Sequence, residues 1–539
     1  MSATIVDQGQ APVPGSGEGP PLSARPRSLR RPWVLTCLSV GVAAGLVLPL
    51  VFLLMQARQI GWSTLRPLLF RQLTVHLLWN TVSLTVVVTL LCAVVGTLAA
   101  WFVERTDLPG RRAWAVLVVV PLGIPDFVTS FGWRSIFQSL GGFSGATLVM
   151  TVAVYPLVYL PVAASFRNAD PAQEEVARSL GLGRARTFWR VTLGQARPAI
   201  IGGSLLVALI LLAEYGAFEI LGFRTFTTEI FTESHVAFGV AASCALSLVL
   251  VLIGALVLVG EGATRGRGRS ARLGPLAPRP ARPHRLGRAT LPVLGGFALL
   301  VALALGVPLG AIVYWLVQGG RSTLPAASIG SAVWHTALYG GAAGVLATGL
   351  ALPVALLSVR HPSRLAGMLE RSTYVVLAIP GLVVALSLTY FSERYAAGFL
   401  YQSTVLLIVA YAVMFFPLAL VAVRTSVLQS PTGLEEMARS LGSTRLAVLW
   451  RVTVPLIGPG LAAAFCLVFL ETVTELTATL VLIPTGAQTL STQFWAFSSN
   501  ISYSQAAPYA ALMVLVAALP SYVLGRWFDR LPARSAAAA

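Results

Sequence analysis

The sequence predicts an all-α polytopic membrane protein built from two repeated domains of six helices each. Three observations support this fold class. The 539 residues are 56% hydrophobic and only 11% charged, which is too apolar for a soluble protein. Twelve apolar runs are each long enough to cross a bilayer as a helix, which takes about 20 residues. A polar segment in the first half of the chain recurs in the second half, which indicates an internal repeat of whole domains.

The repeated segment is the best-matched part of the two halves. It reads EEVARSLG at residues 174–181 and EEMARSLG at residues 435–442, so the copies are 261 positions apart. The similarity continues as FWRVTL in the first copy and LWRVTV in the second. Because both copies are polar and lie between apolar runs, we interpret them as equivalent loops between membrane helices.

Each copy carries signals for a short helix with defined ends. Asp170-Pro171 and Ser430-Pro431 place a side chain that can cap a helix before a proline, which suits the first helical turn. Gly181 and Gly442 then supply residues that tolerate the left-handed conformation common after a helix. We therefore predict a helix of about three turns in each loop, followed by a turn and a second amphipathic piece.

The apolar runs and the polar segments between them predict the domain boundaries. The runs lie at about 33–55, 75–103, 113–133, 145–166, 198–221 and 238–260, and then at 291–317, 334–358, 372–391, 402–423, 459–482 and 506–526. The predicted order is a disordered tail at 1–32, a first domain at 33–260 with its core at 75–260, an Arg/Pro/Gly-rich linker at 261–290, a second domain at 291–530 with its core at 334–526, and a tail at 531–539.

The distribution of arginine predicts the orientation in the membrane. With the first tail inside, the predicted outside loops hold seven of the 38 arginines, and the inside segments hold the other 31. An excess of basic residues in short inside loops sets the topology of membrane proteins. Both repeated loops and both termini are therefore expected to be cytoplasmic. The net charge of +18 is explained by this membrane surface, and no nucleic-acid partner is predicted.

The composition argues against chemistry in this chain. The sequence contains no lysine, which excludes a phosphate-binding loop that ends in Gly-Lys, so any ATP hydrolysis must belong to another chain. The five histidines and four cysteines are scattered without metal-ligand spacing. We predict no enzyme activity, no catalytic residue, no metal and no cofactor.

Four intramembrane residues are candidates for a translocation path. Glu214 and Glu475 occupy equivalent positions of the fifth helix in each half, and Glu219 and Glu471 lie nearby. A carboxylate at such depth is costly unless it faces a partner or a water-filled cavity. Pro125 and Pro380 are expected to kink or break the third helices beside the path. The alternative for both paired glutamates is a structural contact with a backbone or hydroxyl group, or a position near the outer headgroups.

The loop motif permits a family resemblance. The pattern Glu-x-Ala-x-x-x-Gly between the fourth and fifth helices of a six-helix unit resembles the permease subunits of binding-protein-dependent ABC importers. The residues that carry it are Glu175, Ala177 and Gly181, and then Glu436, Ala438 and Gly442. The loop of that family often ends in a proline, which Pro455 matches, whereas Gly194 stands in the first half. Two fused domains look most similar to the ferric iron and thiamine members.

The resemblance implies a function and partners. In that family the loop forms a coupling helix that sits in a groove on an ATPase subunit, so two ATPase copies and an extracytoplasmic solute-binding protein are expected. The glutamates would offer charge to the ATPase, the alanines would keep the contact face small, and the glycines would allow a sharp turn. The location would be the inner membrane, and ferric iron is the expected cargo.

Other functions remain open at this point. Thiamine, polyamine, phosphonate and an oxyanion are alternative cargoes for the same architecture. A twelve-helix secondary transporter driven by protons or sodium would use Glu214 and Glu475 as proton carriers, but it has no need for duplicated coupling loops. A polytopic membrane enzyme would need clustered acids or histidines at one membrane face, and the predicted outside loops are poor in both.

Overall fold

The computed structural model describes residues 33–169, 171–235, 239–265, 283–319 and 326–530. Within these ranges the chain is helical, and the β-structure consists of one isolated parallel bridge between Thr106 and His284. The predicted tails, Asp170 and most of the predicted linker lie outside the described residues. The all-α fold class predicted from composition and spacing is confirmed.

Within the described ranges, thirteen α-helices form the first half of the chain, and they are numbered here in chain order. They are α1 (Trp33–Ile60), α2 (Trp62–Leu69), α3 (Gln72–Arg105), α4 (Arg111–Leu117), α5 (Asp126–Ile136), α6 (Gly142–Val154), α7 (Pro156–Arg167), α8 (Pro171–Ser179), α9 (Arg184–Thr187), α10 (Leu193–Ala213), α11 (Gly216–Ile220), α12 (Phe226–His235) and α13 (Val240–Arg265).

The second half repeats this order from Ala326–Arg360, which corresponds to α3, except that one helix, Thr404–Gln429, stands where the first half has α6 and α7. Its helices are α14 (Thr290–Val301), α15 (Val307–Gln318), α16 (Ala326–Arg360), α17 (Arg364–Tyr374), α18 (Gly381–Tyr395), α19 (Thr404–Gln429), α20 (Thr432–Ser440), α21 (Arg445–Val448), α22 (Val454–Thr474), α23 (Thr477–Leu482), α24 (Leu490–Ser499) and α25 (Tyr503–Arg530). Short 3₁₀ segments lie at Val120–Gly123, Gly287–Ala289 and Val375–Ala378, and π-helical segments at Phe188–Thr192, Ala302–Gly306 and Leu449–Thr453.

The number of membrane crossings differs from the prediction. The described residues contain nine helices that are long and apolar enough to cross a membrane, and up to 11 if each of two bent pairs is one crossing. The predicted count of twelve is therefore not confirmed. The last predicted run, 506–526, falls in α25, whose side chains are described only as far as Ala518.

Prolines lie at both breaks of the bent pairs. Pro125 separates Arg111–Gly123 from α5 with a bend of 92°, and Pro380 separates Arg364–Ala378 from α18 with a bend of 102°. Both prolines have extended backbone angles, with ψ of 141° and 145°. Since proline lacks the amide hydrogen that a continuous helix needs, the chain leaves the helix and restarts after it. The predicted breaks at these two prolines are confirmed.

The first helix of each half packs on the other half. Leu46 and Leu53 of α1 belong to the hydrophobic core built by α16, α18, α19 and α22. Phe297 of α14 belongs to the core built by α3, α6, α7 and α10, and its ring centroid is 5.5 Å from that of Trp114. The two halves are therefore interlocked, because each one buries apolar surface that the other supplies.

A close crossing between α7 and α10 depends on Gly203. A Cβ atom at this position would lie 2.8 Å from the Val158 Cα and 2.9 Å from the Leu157 carbonyl oxygen, whereas Gly202 has open space around it. We expect Gly203→Ala to lower the melting temperature of the purified protein, since overpacking costs about 1–3 kcal/mol. Gly202→Ala should raise it slightly, because alanine favours a helix over glycine by about 1 kcal/mol. Equal melting temperatures in the two variants would contradict this packing.

Candidate functional site: paired helix breaks and repeated loops

Glu214 and Glu475 lie at equivalent breaks in the two halves. Glu214 follows the last residue of α10 and Glu475 follows the last residue of α22, and both have extended backbone angles, with ψ of 132° and 124°. A short helix begins two residues later in each half, α11 after Glu214 and α23 after Glu475. Both glutamates are half-buried. The structure therefore places the two carboxylates at interrupted membrane helices, where backbone groups are freed from helical hydrogen bonds.

Each carboxylate caps the short helix that follows it. The Glu214 Oε1 accepts a hydrogen bond of 2.7 Å from the Ala217 amide, and the Glu475 Oε1 accepts one of 2.8 Å from the Ala478 amide. A helix N-terminus carries partial positive charge, so it favours a carboxylate at this point. The structural contact with a backbone group, which the sequence left open as an alternative, is therefore present in both halves.

Two further acids join this pair. Asp126, the first residue of α5, interacts electrostatically with Glu214 and Glu471, and Glu475 interacts with Glu214 and Glu471. Glu471 lies on α22, one turn before Glu475. Asp126 and Glu471 are both half-buried. Sequence reasoning noted Glu471 only as a neighbour and missed Asp126. The signal that could have found Asp126 was an isolated acid directly after Pro125 within an apolar run.

The carboxylates lie where the two halves meet. A Cβ atom at Gly216 would be 2.7 Å from the Leu476 Cδ2 and 3.0 Å from the Phe127 Cβ, so the two helix breaks are in close contact. Aromatic rings surround this contact. The ring centroids of Phe127 and Phe494 are 5.4 Å apart, and those of Tyr215 and Trp495 are 5.6 Å apart.

The acids do not form a chelating site in the described part of the chain. No group of three His, Cys, Asp or Glu side chains in the described residues is arranged to hold a metal ion. Gly381 begins α18 as Asp126 begins α5, and a Cβ atom at Gly381 would lie 3.7 Å from the Glu475 Oε1. The second half therefore has a glycine beside its carboxylate where the first half has an acid. The four acids therefore lie together at the contact between the halves, and among the described residues they do not form a ligand set for a metal ion.

The two repeated loops contain matching helices, α8 and α20, which are called the loop helices below. Gly181 has a φ of +85° and Gly442 a φ of +86°, which is the left-handed region. In the first loop the Leu182 and Gly181 amides donate to the Ala177 and Arg178 carbonyl oxygens at 3.1 and 3.0 Å. The second loop repeats both bonds from Ser443 and Gly442 to the Ala438 and Arg439 carbonyl oxygens, also at 3.1 and 3.0 Å. This is the Schellman arrangement, and the predicted glycine caps are confirmed.

The predicted start of the second loop helix is wrong. The residue before α20 is Pro431, and it makes no side-chain capping bond. Ser430 instead uses its carbonyl oxygen, which accepts a 3.0 Å hydrogen bond from the Arg360 Nη2. The Ser430 hydroxyl is buried and has no hydrogen-bond partner among the described residues. Ser430 therefore makes a backbone contact with Arg360, 70 residues away, and does not cap α20.

The loop helices present an acidic and apolar outer face. Glu175 and Glu436 are exposed, while Ala177 is buried and Ala438 is half-buried. Large apolar side chains beside the exposed glutamates are also exposed. They are Val176 and Leu180 in the first loop, with Leu180 75% exposed, and Met437 and Leu441 in the second, with Leu441 85% exposed. A surface of this kind fits a partner protein, since exposed apolar groups rimmed by charge are typical of interaction sites.

The glutamate before each exposed glutamate points inward. Glu174 is 7% exposed and forms an ion pair with Arg105, and Glu435 is 6% exposed and forms one with Arg360 at 3.0 Å. Beside Arg360, burial and the guanidinium groups of Arg439 and Arg445 lower the pKa of His361. Sequence reasoning assigned no role to Glu174 or Glu435.

This geometry defines a multi-pass membrane protein of two similar halves. Acids lie at its paired helix breaks, and exposed helices lie in its repeated loops. The family described as "Binding-protein-dependent transport system inner membrane component" matches residues 106–261 and 343–535. The chain belongs to this family of inner membrane transport permeases. The two matched segments correspond to the two halves described above.

Several transport permeases are similar in sequence to this chain. The chain is 36% identical over 502 residues to the Fe(3+)-transport system permease protein FbpB 2 of Haemophilus influenzae, which covers 92% of this chain and 99% of that protein. It is 23% identical over 430 residues to the ferric transport system permease protein FbpB of Actinobacillus pleuropneumoniae, covering 74% of this chain and 61% of that protein. The sulfate transport system permease protein CysW of Synechocystis is 31% identical over 208 residues, covering 32% of this chain and 74% of that protein.

Proposed function

We propose that this chain is the permease of an ATP-driven importer of ferric iron. It would form the translocation path between its two halves. Its two loop helices would contact two copies of an ATPase and move with them. The similarity of nearly the whole chain to an Fe(3+)-transport permease is the observation that carries this proposal. The domain boundaries predicted from the sequence, at 33–260 and 291–530 with a linker at 261–290, are proposed as the two permease units.

The loop helices are proposed as the ATPase contacts. Glu175 and Glu436 are exposed beside exposed apolar side chains, so they can meet an arginine or a helix N-terminus on the partner. Ala177 is buried and Ala438 is half-buried, so they keep small the side of each loop helix that faces this chain, and not the contact face as expected from the resemblance. Gly181 and Gly442 turn the chain back toward the membrane. The arginine distribution supports a cytoplasmic position for both loops and both termini, where an ATPase would find its nucleotide.

Charge at the paired breaks supports a cationic cargo. Asp126, Glu214, Glu471 and Glu475 interact electrostatically at the contact between the halves, and in their ionised form they would supply a negative field there. Pro125 and Pro380 support this arrangement by ending the helices that precede α5 and α18. An oxyanion would be repelled at this contact, and the sulfate permease aligns with only about a third of the chain. An extracytoplasmic binding protein would deliver the ferric ion to the opposite side from the loops.

The ATPase contact is tested by affinity purification of the full chain from its native membrane. We expect an ATP-binding subunit to co-purify in two copies per chain, and we expect Glu175→Lys with Glu436→Lys to abolish this. Both substitutions reverse a charge on an exposed helix face, so the fold should be kept. Lysine at the exposed Glu219, outside the loops, is the matched control and should leave the partner bound. A chain that purifies without any ATP-binding subunit would contradict the proposal.

A further inference from the structure

Each loop helix is joined to one long membrane helix by an ion pair, which is buried in the first half and partly buried in the second. Arg105 is the last residue of α3, which is 34 residues long, and Arg360 is the last residue of α16, which is 35 residues long. Arg105 pairs with Glu174 on α8, and Arg360 pairs with Glu435 on α20. The same two residue types thus make the same connection in both halves, although the partners are 69 and 75 residues apart.

Both glutamates are buried, Arg105 is buried and Arg360 is partly solvated, and each pair has a further hydrogen bond. Arg105 is 4% exposed, and the Glu174 Oε1 also accepts a 2.8 Å hydrogen bond from the Thr192 hydroxyl at the base of α10. In the second half, the Arg360 Nη2 donates to Glu435 and to the Ser430 carbonyl oxygen, each at 3.0 Å. Removing one partner of a buried ion pair is strongly destabilising, because it leaves an uncompensated buried charge.

The exposed neighbours have a different orientation. Glu175 and Glu436 stand on the outer face of the same helices, one residue further along the chain. Adjacent residues of a helix point in directions about 100° apart, so one glutamate of each pair faces the protein and the next faces outward. The doubled glutamate therefore serves two separate contacts, one inside this chain and one on its surface.

We propose that Glu174 with Arg105 and Glu435 with Arg360 are positioning residues that make each loop helix and its membrane helix move as one body. The inference rests on the proposed function, in which the loop helices follow an ATPase. Movement of α8 would pass through Arg105 to α3 and through Thr192 to α10, and movement of α20 would pass through Arg360 to α16. The pairs would be needed to convert ATP hydrolysis into transport, and they would not be needed for the ATPase to bind.

The test uses the complete complex in proteoliposomes, with the ATPase and with radioactive ferric ion delivered by the binding protein. Glu174→Gln with Glu435→Gln keeps the side-chain shape and removes both ion pairs. We expect normal co-purification of the ATPase and continued ATP hydrolysis, with ferric ion transported per ATP lowered about tenfold, within the usual range of coupling between sites. In a separate variant, Arg105→Lys with Arg360→Lys keeps both positive charges, and it should retain most of the wild-type ratio of ferric ion transported per ATP.

The matched control lies at the other end of α3. Arg71 precedes this helix and pairs with Glu233 at 2.9 Å, so Glu233→Gln removes an ion pair without touching the loops. It should leave the transport ratio unchanged. An unchanged ratio in the Glu174→Gln and Glu435→Gln variant would overturn the proposal, and so would loss of ATPase binding, which would make the pairs docking elements. If that double variant does not fold, Glu435→Gln alone is judged by the same two criteria, since Arg360 is partly solvated.

Failure of the proposed function would look different. The wild-type complex would then lack a bound ATPase or ATP-dependent ferric ion uptake. Failure of the positioning role would appear only in the variants, while the wild-type complex remained active.

Discussion

Replacing Glu214 and Glu475 together with glutamine is expected to reduce ferric ion uptake by at least about tenfold. The amide oxygen of glutamine can still accept the hydrogen bond from the Ala217 or Ala478 amide, so the caps of α11 and α23 are kept. What is lost is the negative charge. A carboxylate and a unit positive charge 4 Å apart attract by about 4 kcal/mol at an effective dielectric constant near 20. Loss of about a third of this energy would already lower an equilibrium or rate constant about tenfold.

The measurement is ATP-dependent uptake of radioactive ferric ion into cells or proteoliposomes. Glu219→Gln is the matched control, because Glu219 lies on α11 close to Glu214 but is exposed. ATPase co-purification should be normal in both variants. Unchanged uptake in the Glu214→Gln and Glu475→Gln variant would show that these carboxylates serve only as helix caps, which is the structural alternative that the hydrogen bonds leave open.

Replacing Gly181 and Gly442 with valine is expected to uncouple ATP hydrolysis from transport. Both glycines have a φ near +85°, and a β-branched residue in this region is a steric outlier. The left-handed conformation costs such a residue roughly 1–2 kcal/mol. The strain would weaken the Schellman hydrogen bonds that end the loop helices. No atom of the described residues lies within 4 Å of a Cβ at either position, so the effect would come from the backbone.

The readout is the number of ferric ions transported per ATP hydrolysed. Gly183→Val and Gly433→Val form the matched control. Both glycines lie in the same two loops with open space around them, and neither has a positive φ. We expect the control to keep the wild-type ratio, while the Gly181 and Gly442 variant hydrolyses ATP with little uptake. Normal coupled transport in that variant would contradict the role of the glycine turns.

Local signals in the sequence were sufficient for the architecture and for the loop ends. Apolar runs and an internal repeat predicted the two helical halves, and Gly181 and Gly442 predicted their own left-handed turns. Pro125 and Pro380 predicted the helix breaks, because proline acts on the residues beside it. These signals could not determine the number of membrane crossings, because a run of apolar residues does not reveal whether its helix is bent.

Contacts between distant residues were not predictable in the same way. The pairing of Glu174 with Arg105 spans 69 residues, and no periodicity relates the two. Ser430 looked like a helix cap from its neighbours, but Arg360 binds its carbonyl oxygen. The packing of α1 on the second half and of α14 on the first half likewise depends on contacts between distant residues. Asp126 is a different case, because its position after Pro125 could have identified it from the sequence.

The most direct test of the account is ferric ion uptake by the purified chain in proteoliposomes, with and without its ATPase and binding protein. We predict uptake only when both partners and ATP are present, and no uptake driven by a proton or sodium gradient. Thiamine or a polyamine supplied in the same assay should not be transported. Uptake by the chain alone in response to an ion gradient would contradict the account and identify a secondary transporter.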